Sequence, residues 1–425
     1  MIYCSRCLSR GRLIRVSSAR LKVGYRTCAS CGPKLRIGRK PVGRDVWFCR
    51  KRECSSRLSR TRVSAGLCYC RRHGISIKKT SRPKFIDARH TLATPRLLRP
   101  RQAIRVAEFC CGWCAGIQAL MKLQLPHALV LACDCSTAVQ QLVQANFRPA
   151  QWRDDMLRIP TSSLPKADIA LAGFPCQSYS TDGLRQGLTL ESRRLLRSMC
   201  RCIAGTHPKI ILLENVPGFE QHQEAFQWLL RSLSIATNNK FQWYKQTLDA
   251  YDYSLPQTRK RLYIVGLRRR LGAREFHWPA QSKPSTLASI LRRRSERICS
   301  AARRQPRAGS NAHRHLRKGL LKLRALGNNP KRVPCVVDMR DTRSTNVAVR
   351  RFPTITASKA AGLDFYLPHL NRRATVRELS RAQGMCGSIS DTCLSRSAFG
   401  TIVGNAMPVN VVAAVLRQAL VSIGC

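Results

Sequence analysis

The chain has 425 residues, 44% of them hydrophobic, enough for one large α/β domain and one or two smaller modules. Lysine and arginine number 76 against 22 aspartates and glutamates, a formal charge of +54. Such an excess needs a polyanionic partner, nucleic acid being the simplest, although Arg-biased codon usage is a bland alternative source. No run of eighteen or more apolar residues occurs, which excludes a transmembrane helix, and the opening MIYCSRCLSR lacks the apolar core of a secretory signal.

Residues 1–75 are basic and Cys-rich. Of 21 cysteines, eight fall in the first 70 residues. Without a secretory signal a disulfide framework is not expected, and the clustering points to metal binding. Cys4-x2-Cys7 and Cys28-x2-Cys31 have the spacing of a zinc ribbon, in which two knuckles supply four tetrahedral thiolates. Cys49, Cys54, Cys68 and Cys70, with His73, can make a second site, and exchange of ligands between the clusters is left open. The reading is a small zinc-binding module whose basic surface contacts duplex phosphates. Residues 76–103 are basic, Pro-containing and aperiodic, and read as a linker.

From Ile104 the pattern becomes short apolar runs alternating with amphipathic stretches, which predicts βαβ units and a mostly parallel sheet. Strands are expected at Ile104–Phe109, Ala128–Ala132, Ala167–Ala172, Lys209–Leu213 and Arg261–Leu267. Helices are expected from the turn after Phe109 to about Leu125, over Ser136–Asn146 and over Leu190–Ile203. Residues 268–350 are Arg-rich without a convincing period. Patterning returns near Thr375 in TVRELSRAQGM, and the chain closes on GNAMPVNVVAAVLRQALVSIG, a loop and an amphipathic helix.

Three loops carry chemistry. Phe174-Pro175-Cys176-Gln177 places a thiol just after a strand in a Pro-fixed turn, where a nucleophile is well presented; a lone Cys in such a protein is more often a buried small hydrophobe. Leu213-Glu214-Asn215-Val216-Pro217 puts a carboxylate at another strand end, suited to a general acid if burial raises its pKa, or to a plain loop hydrogen bond. Gln257-Thr258-Arg259-Lys260-Arg261 sets Gln257, Arg259 and Arg261 on one face of an extended segment. Two guanidiniums there can hold a base edge or a phosphate, or form a solvated basic face.

The succession PCQ, ENV, QxRxR and GNxxPV resembles the signature of the cytosine-5 DNA methyltransferase family, from about Ile104 to the end of the chain. The stretches that carry the likeness are FPCQSYSTDG, LENVPGF, QTRKRLYIVG, TVRELSRAQGM and GNAMPVNVV. The resemblance implies an S-adenosylmethionine-dependent, Rossmann-like α/β fold. Its catalytic domain would cover 104–267, a smaller target-recognition region 268–373, and a returning part 374–425. It also implies that Cys176 adds to carbon 6 of a flipped cytosine, that Glu214 holds and protonates nitrogen 3, and that Asn215 orients the loop or base. Arg259 would support the base and catalytic loop, and Arg261 the same or the Glu214 loop. Gln177, Ser180 and Gly183 belong to the loop that closes over the base.

Contacts to S-adenosylmethionine are implied for Phe109, Gly112, Asp134, Asp155, Pro175, Asn405 and Val409. The family's Gly-rich first turn departs here: Gly112 fits, but the next glycine position is taken by Cys114 or Ala115. The expected partner is double-stranded DNA, with no membrane, and the chain is expected to act as a monomer. The compartment is the nucleus of a eukaryote or the cytoplasm of a prokaryote. Two alternatives stand beside this reading. A tRNA-methylating branch shares the motifs but favours PPCQ and a CFT tripeptide, whereas this chain has FPCQ and no CFT. The other is a catalytically weak nucleic-acid-binding relic.

Overall fold

The computed structural model describes residues 47–48, 57–58, 102–175, 189–269, 274–291, 298–340 and 347–424. The chain divides into two compact units, Met1–Thr80 and Ser81–Cys425. In the first, Trp47–Phe48 pairs antiparallel with Arg57–Leu58. Cys4, Cys7, Cys28, Cys31, Cys49, Cys54, Cys68 and Cys70 lie outside the described residues, as does Cys176 with the loop 176–188.

In the second unit the elements run β1 (Ile104–Phe109), α1 (Ala115–Lys122), β2 (His127–Cys133), α2 (Thr137–Asn146), β3 (Trp152–Arg153) and β4 (Ile169–Gly173). They continue with α3 (Leu190–Gly205), β5 (Ile210–Asn215), α4 (Gln223–Ala236), β6 (Phe241–Asp249) and β7 (Lys260–Arg268). These seven strands form one sheet in the order β3-β2-β1-β4-β5-β7-β6. The first five are mutually parallel; β7 runs antiparallel to β5, and β6 antiparallel to β7. The connection reverses direction between β1 and β4, so the loops leaving the carboxyl ends of these two strands diverge and open a crevice.

Helices cover both faces, which is why the central strands read as near-continuous apolar runs. Every residue of β5 is buried, its glutamate and asparagine included. One face packs against α1 and the last helix, through Val106, Leu171, Leu212, Ile117, Leu120, Val412 and Leu416. The other packs against α3 and α4, through Phe109, Ala172, Leu213, Met199, Ile203 and Leu229. Helix starts follow side-chain oxygens: Ser136 accepts from the Val139 amide and Thr189 from the Ser192 amide.

Beyond β7 comes a smaller lobe. It holds α5 (Asn311–Ala325), β8 (Cys335–Asp338), β9 (Val347–Val349), α6 (Ala357–Gly362), β10 (Phe365–Leu367) and β11 (Arg372–Arg373), with sheet order β9-β8-β10-β11. The chain then returns to the large sheet through α7 (Val376–Ala382), α8 (Arg396–Asn405) and α9 (Val409–Ser422). Among the described residues no single helix is long and apolar enough to cross a membrane.

The strands differ from expectation by one or two residues at most. The first helix is shorter: it ends at Lys122, and Gln124 turns left-handed at φ 54°. The stretch 268–350, expected to be aperiodic, contains the fifteen-residue α5, which buries Leu316, Gly319 and Leu323. Strand β6 was not anticipated, because Gln242, Lys245, Gln246 and Thr247 interrupt its apolar residues.

Candidate active site

The sheet brings Glu214 and Gly173 side by side as register partners at the ends of β5 and β4. A Cβ added to Gly173 would lie 3.7 Å from Glu214 Oε2 and 3.6 Å from Met407 Cε. Cys176 follows Gly173 by three residues, so chain connectivity tethers its Cα within about 11 Å of that glycine. One residue after Glu214, buried Asn215 turns to the opposite face of β5. Its Nδ2 donates to the Phe174 carbonyl at 3.1 Å, and its Oδ1 accepts from the Val216 amide at 2.8 Å. The two loops singled out in the sequence are thus joined by one bifunctional amide, just before the cysteine.

Glu214 is 8% exposed. Arg261 Nε stands 3.1 Å from its Oε1. Burial pushes the Glu214 pKa above the usual carboxylate range, while the charges of Arg261 and Arg259 oppose the rise. The upward shift favours the protonated form that a general acid uses.

Arg259 and Arg261 share a face of the strand segment but not a task. The Arg259 guanidinium is buried and donates to three main-chain carbonyls: Ile355 at 2.7 Å, Gly404 at 3.2 Å and Ala406 at 2.9 Å. The guanidinium thereby pins the segments that return to the sheet. Its charge reaches Glu214, but its donors hold the returning segments against β7. Gln257 does similar work, donating to Gln383 Oε1 at 2.8 Å and accepting from the Ile355 amide at 3.3 Å.

The second half of the crevice lies past β1. Gly112 takes φ 51° and Cys114 takes φ 56°, so Cys114 stands in the left-handed conformation that glycine adopts most easily. A Cβ at Gly112 would meet nothing within 4 Å, so this turn borders open space. Asp134, after β2, receives the Gly112 amide at 3.0 Å and the Ser136 amide at 3.0 Å. Both of its oxygens keep a further lone pair for ligand hydroxyls. Open space over a glycine turn, beside a carboxylate fixed by two amides, fits a nucleoside with vicinal hydroxyls.

Asp155 lies beyond β3, where Oδ1 accepts from the Leu157 amide at 2.8 Å. Pro175 and Asn405 are exposed. Phe109 is wholly buried in the core beneath α3, and Val409 is wholly buried at the start of α9, its amide donating to the Gln383 carbonyl at 3.0 Å.

Two further residues organise the turn. Glu108, 1% exposed, accepts from the amides of Gly116 at 3.3 Å and Ile117 at 2.9 Å, closing the start of α1. Burial pushes its pKa up to about 7 against those two donors. Its signal was an acid in the strand IRVAEF, next to the turn. Trp113 donates from Nε1 to the Met407 carbonyl at 3.3 Å, which links the turn to the loop between α8 and α9. Among the described residues no group of three or more His, Cys, Asp or Glu side chains is placed to hold a metal.

The family model described as C-5 cytosine-specific DNA methylase matches residues 104–420. The type II methyltransferase M.BsuFI of Bacillus subtilis is 33% identical over 141 residues, covering 33% of this chain and 34% of that one. M.HhaI of Haemophilus parahaemolyticus is 27% identical over 156 residues, covering 36% and 46%. The matches thus span between a third and a half of these relatives. In fold, the Entamoeba histolytica methyltransferase EhMeth superposes with a TM-score of 0.55 at 15% identity, covering 75% of this chain and 98% of that one. The S. pombe Dnmt2 methyltransferase gives 0.51 at 16% identity, covering 76% and 100%.

Proposed function

We propose that this chain, which belongs to the C-5 cytosine-specific DNA methylase family, transfers a methyl group to carbon 5 of cytosine in double-stranded DNA. The observation that carries the reading is the buried Glu214, braced by Arg261 and joined through Asn215 to the strand end that leads into Cys176.

S-adenosylmethionine, when bound, supplies an electrophilic methyl group. Asp134 would take its ribose hydroxyls, the Gly112–Cys114 turn its methionine part, and Asp155 the edge of its adenine. Stacked cytosine is out of reach in a duplex, so the target base is flipped into the crevice. Protonated Glu214 donates to ring nitrogen 3 and withdraws electrons, which makes carbon 6 susceptible. The Cys176 thiolate adds there, and carbon 5 gains the enamine character needed to take the methyl group, the donor leaving as its neutral thioether. Loss of the carbon-5 proton to water then expels the thiolate, and the nitrogen-3 proton returns to Glu214, which restores the ring.

Bisulfite sequencing of plasmid DNA from cells expressing the protein tests this, because it reports activity and target together. Methylated cytosines that vanish with Cys176→Ser support the reading, as does covalent trapping on 5-fluorocytosine duplexes by the parent protein alone. No methylation of DNA beside clear methylation of tRNA in a parallel assay overturns it.

The zinc module of residues 1–75 is part of this proposal, supported by the spacing of the Cys4/Cys7 and Cys28/Cys31 pairs. Metal analysis of the purified protein tests it. A monomer at the DNA of its host, in a nucleus or in a prokaryotic cytoplasm, completes the reading. Light scattering and localisation of a tagged chain check those two points.

A further inference from the structure

Met407 lies in the short loop between α8 and α9 and is buried. Its side chain reaches the acid site. The atoms nearest to a Cβ built on Gly173 are Met407 Cε at 3.6 Å, Met407 Cγ at 3.7 Å and Glu214 Oε2 at 3.7 Å. The thioether side chain and the carboxyl oxygen thus flank the same glycine. On this side Oε2 borders methionine, where an exposed carboxyl would border water.

The ionisable groups that face Glu214 come from one segment. Arg259 and Arg261 act on its charge, and Tyr263 is its register partner on β7. Residues 169–175 of β4 and its exit, and residues 404–408, carry no ionisable side chain. The two guanidiniums favour the carboxylate, so burial is what keeps a proton on Glu214. Met407 is itself held from the other half of the crevice. Buried Trp113 donates from Nε1 to the Met407 carbonyl at 3.3 Å. Trp113 stands between Gly112 and Cys114, the two left-handed positions of the turn, and Gly112 fronts open space. Arg259 holds the preceding carbonyls of Gly404 and Ala406, and the Val409 amide is tied to Gln383. The loop is therefore pinned before, at and after Met407.

We propose that Met407 is a positioning residue that shields the Glu214 carboxyl from water, and that Trp113 ties this shield to the turn that takes S-adenosylmethionine; this rests on the enzymatic reading above. Without the shield, water reaches Oε2 and favours the carboxylate. A filled turn holds Trp113 and, through it, Met407. Cofactor and acid proton therefore favour each other, since a coupling between two sites is reciprocal.

The test titrates Glu214 in the full chain, without DNA. Infrared spectroscopy follows, against pH, the carboxylic-acid band that Glu214→Gln removes. Met407→Ala should lower the midpoint by about one pH unit, and Met407→Leu should keep it. Gly173→Ala adds a methyl at ordinary contact distance from Oε2 and Met407, and should raise the midpoint. Trp113→Phe keeps a ring but loses the donor, and should lower it. S-adenosylhomocysteine, which lacks the sulfonium charge, should raise the parent's midpoint and leave that of Trp113→Phe in place. One midpoint shared by the parent, M407A and G173A overturns the proposal, as does a lower melting temperature with no movement of the midpoint. An equal response to S-adenosylhomocysteine in the parent and W113F overturns the tie to the turn. If M407A unfolds before it can be titrated, the opposite shifts of G173A and W113F decide. These shifts in a chain that methylates no DNA sink the enzymatic reading alone. Methyl transfer to DNA with unmoved midpoints sinks only this one.

Discussion

Asn215 and Phe174 meet across the ends of two parallel strands, the asparagine amide donating to the phenylalanine carbonyl at 3.1 Å. This bond fixes where the chain leaves the sheet on its way to Cys176. Asn215→Ala removes it and strands the Val216 amide, so stability should fall by about 1–3 kcal/mol. Asn215→Asp keeps the acceptor for Val216 but buries a carboxyl against the Phe174 carbonyl. Urea denaturation should rank the parent above both variants. The same order in methyl-transfer rate, with cofactor affinity constant, separates loop positioning from cofactor binding.

Glu214 is held up by burial and pulled down by Arg261 and Arg259. Its acid form is the active one in the proposed reaction. The rate should therefore fall as pH rises through its pKa. Removing Arg261 removes a charge that favours the carboxylate, so Arg261→Ala should move this fall to higher pH. Glu214→Gln should abolish that limb and lower kcat by about 10²–10⁴-fold, the usual worth of a positioned acid. A pH–rate profile whose alkaline limb is the same in the parent, R261A and E214Q removes Glu214 from the acid role.

Glu108 offers a stability test that needs no substrate. Its pKa in the fold is about 7, against an ordinary 4.5. The unfolded chain thus gives up this proton at lower pH than the folded one. The stabilising contribution is complete below about pH 4.5 and is lost as pH rises through 7. The whole swing is about 3 kcal/mol, at 1.36 kcal/mol per pKa unit. Glu108→Gln is neutral throughout. Measured from pH 5 to 8, the parent should lose stability relative to this variant; parallel curves refute the assignment.

Arg259 and Gly404 depend on each other. The arginine donates to the Gly404 carbonyl, and a Cβ on that glycine would fall 2.3 Å from the main chain of Thr356 and Ala357. Gly404→Ala forces α8 away from the segment before α6 and should cost at least about 3 kcal/mol, the upper end of ordinary overpacking. Arg259→Ala leaves three buried carbonyls without their donor and should cost at least as much. Arg259→Lys keeps the charge but not the fork, and should recover only part of the melting temperature.

Much of this was legible in the residues. Ile104–Phe109 is apolar enough to be placed to the residue, and the strand ends carrying Pro175 and Glu214 follow from the switch between apolar runs and Pro-Gly turns. What escaped depends on distant partners. Alternation puts Arg259 and Arg261 on one face, but nothing local says that carbonyls from residues 355, 404 and 406 occupy one of them. Helix α5 was hidden because lysines and arginines crowd the outer positions, leaving buried Leu316, Gly319 and Leu323 as its inner mark. Cys114 reads as the loss of a glycine, yet the backbone keeps a glycine-like φ of 56° there.

The three carbonyls that Arg259 holds come from residues made 96 to 147 positions later in the chain. During synthesis, Glu214, Arg261 and the central strands leave the ribosome well before the segment that clasps Arg259. A partly made chain therefore owns the acid and the sheet but not the clasp. The clasp closes late, once residues 404–406 can reach back to β7.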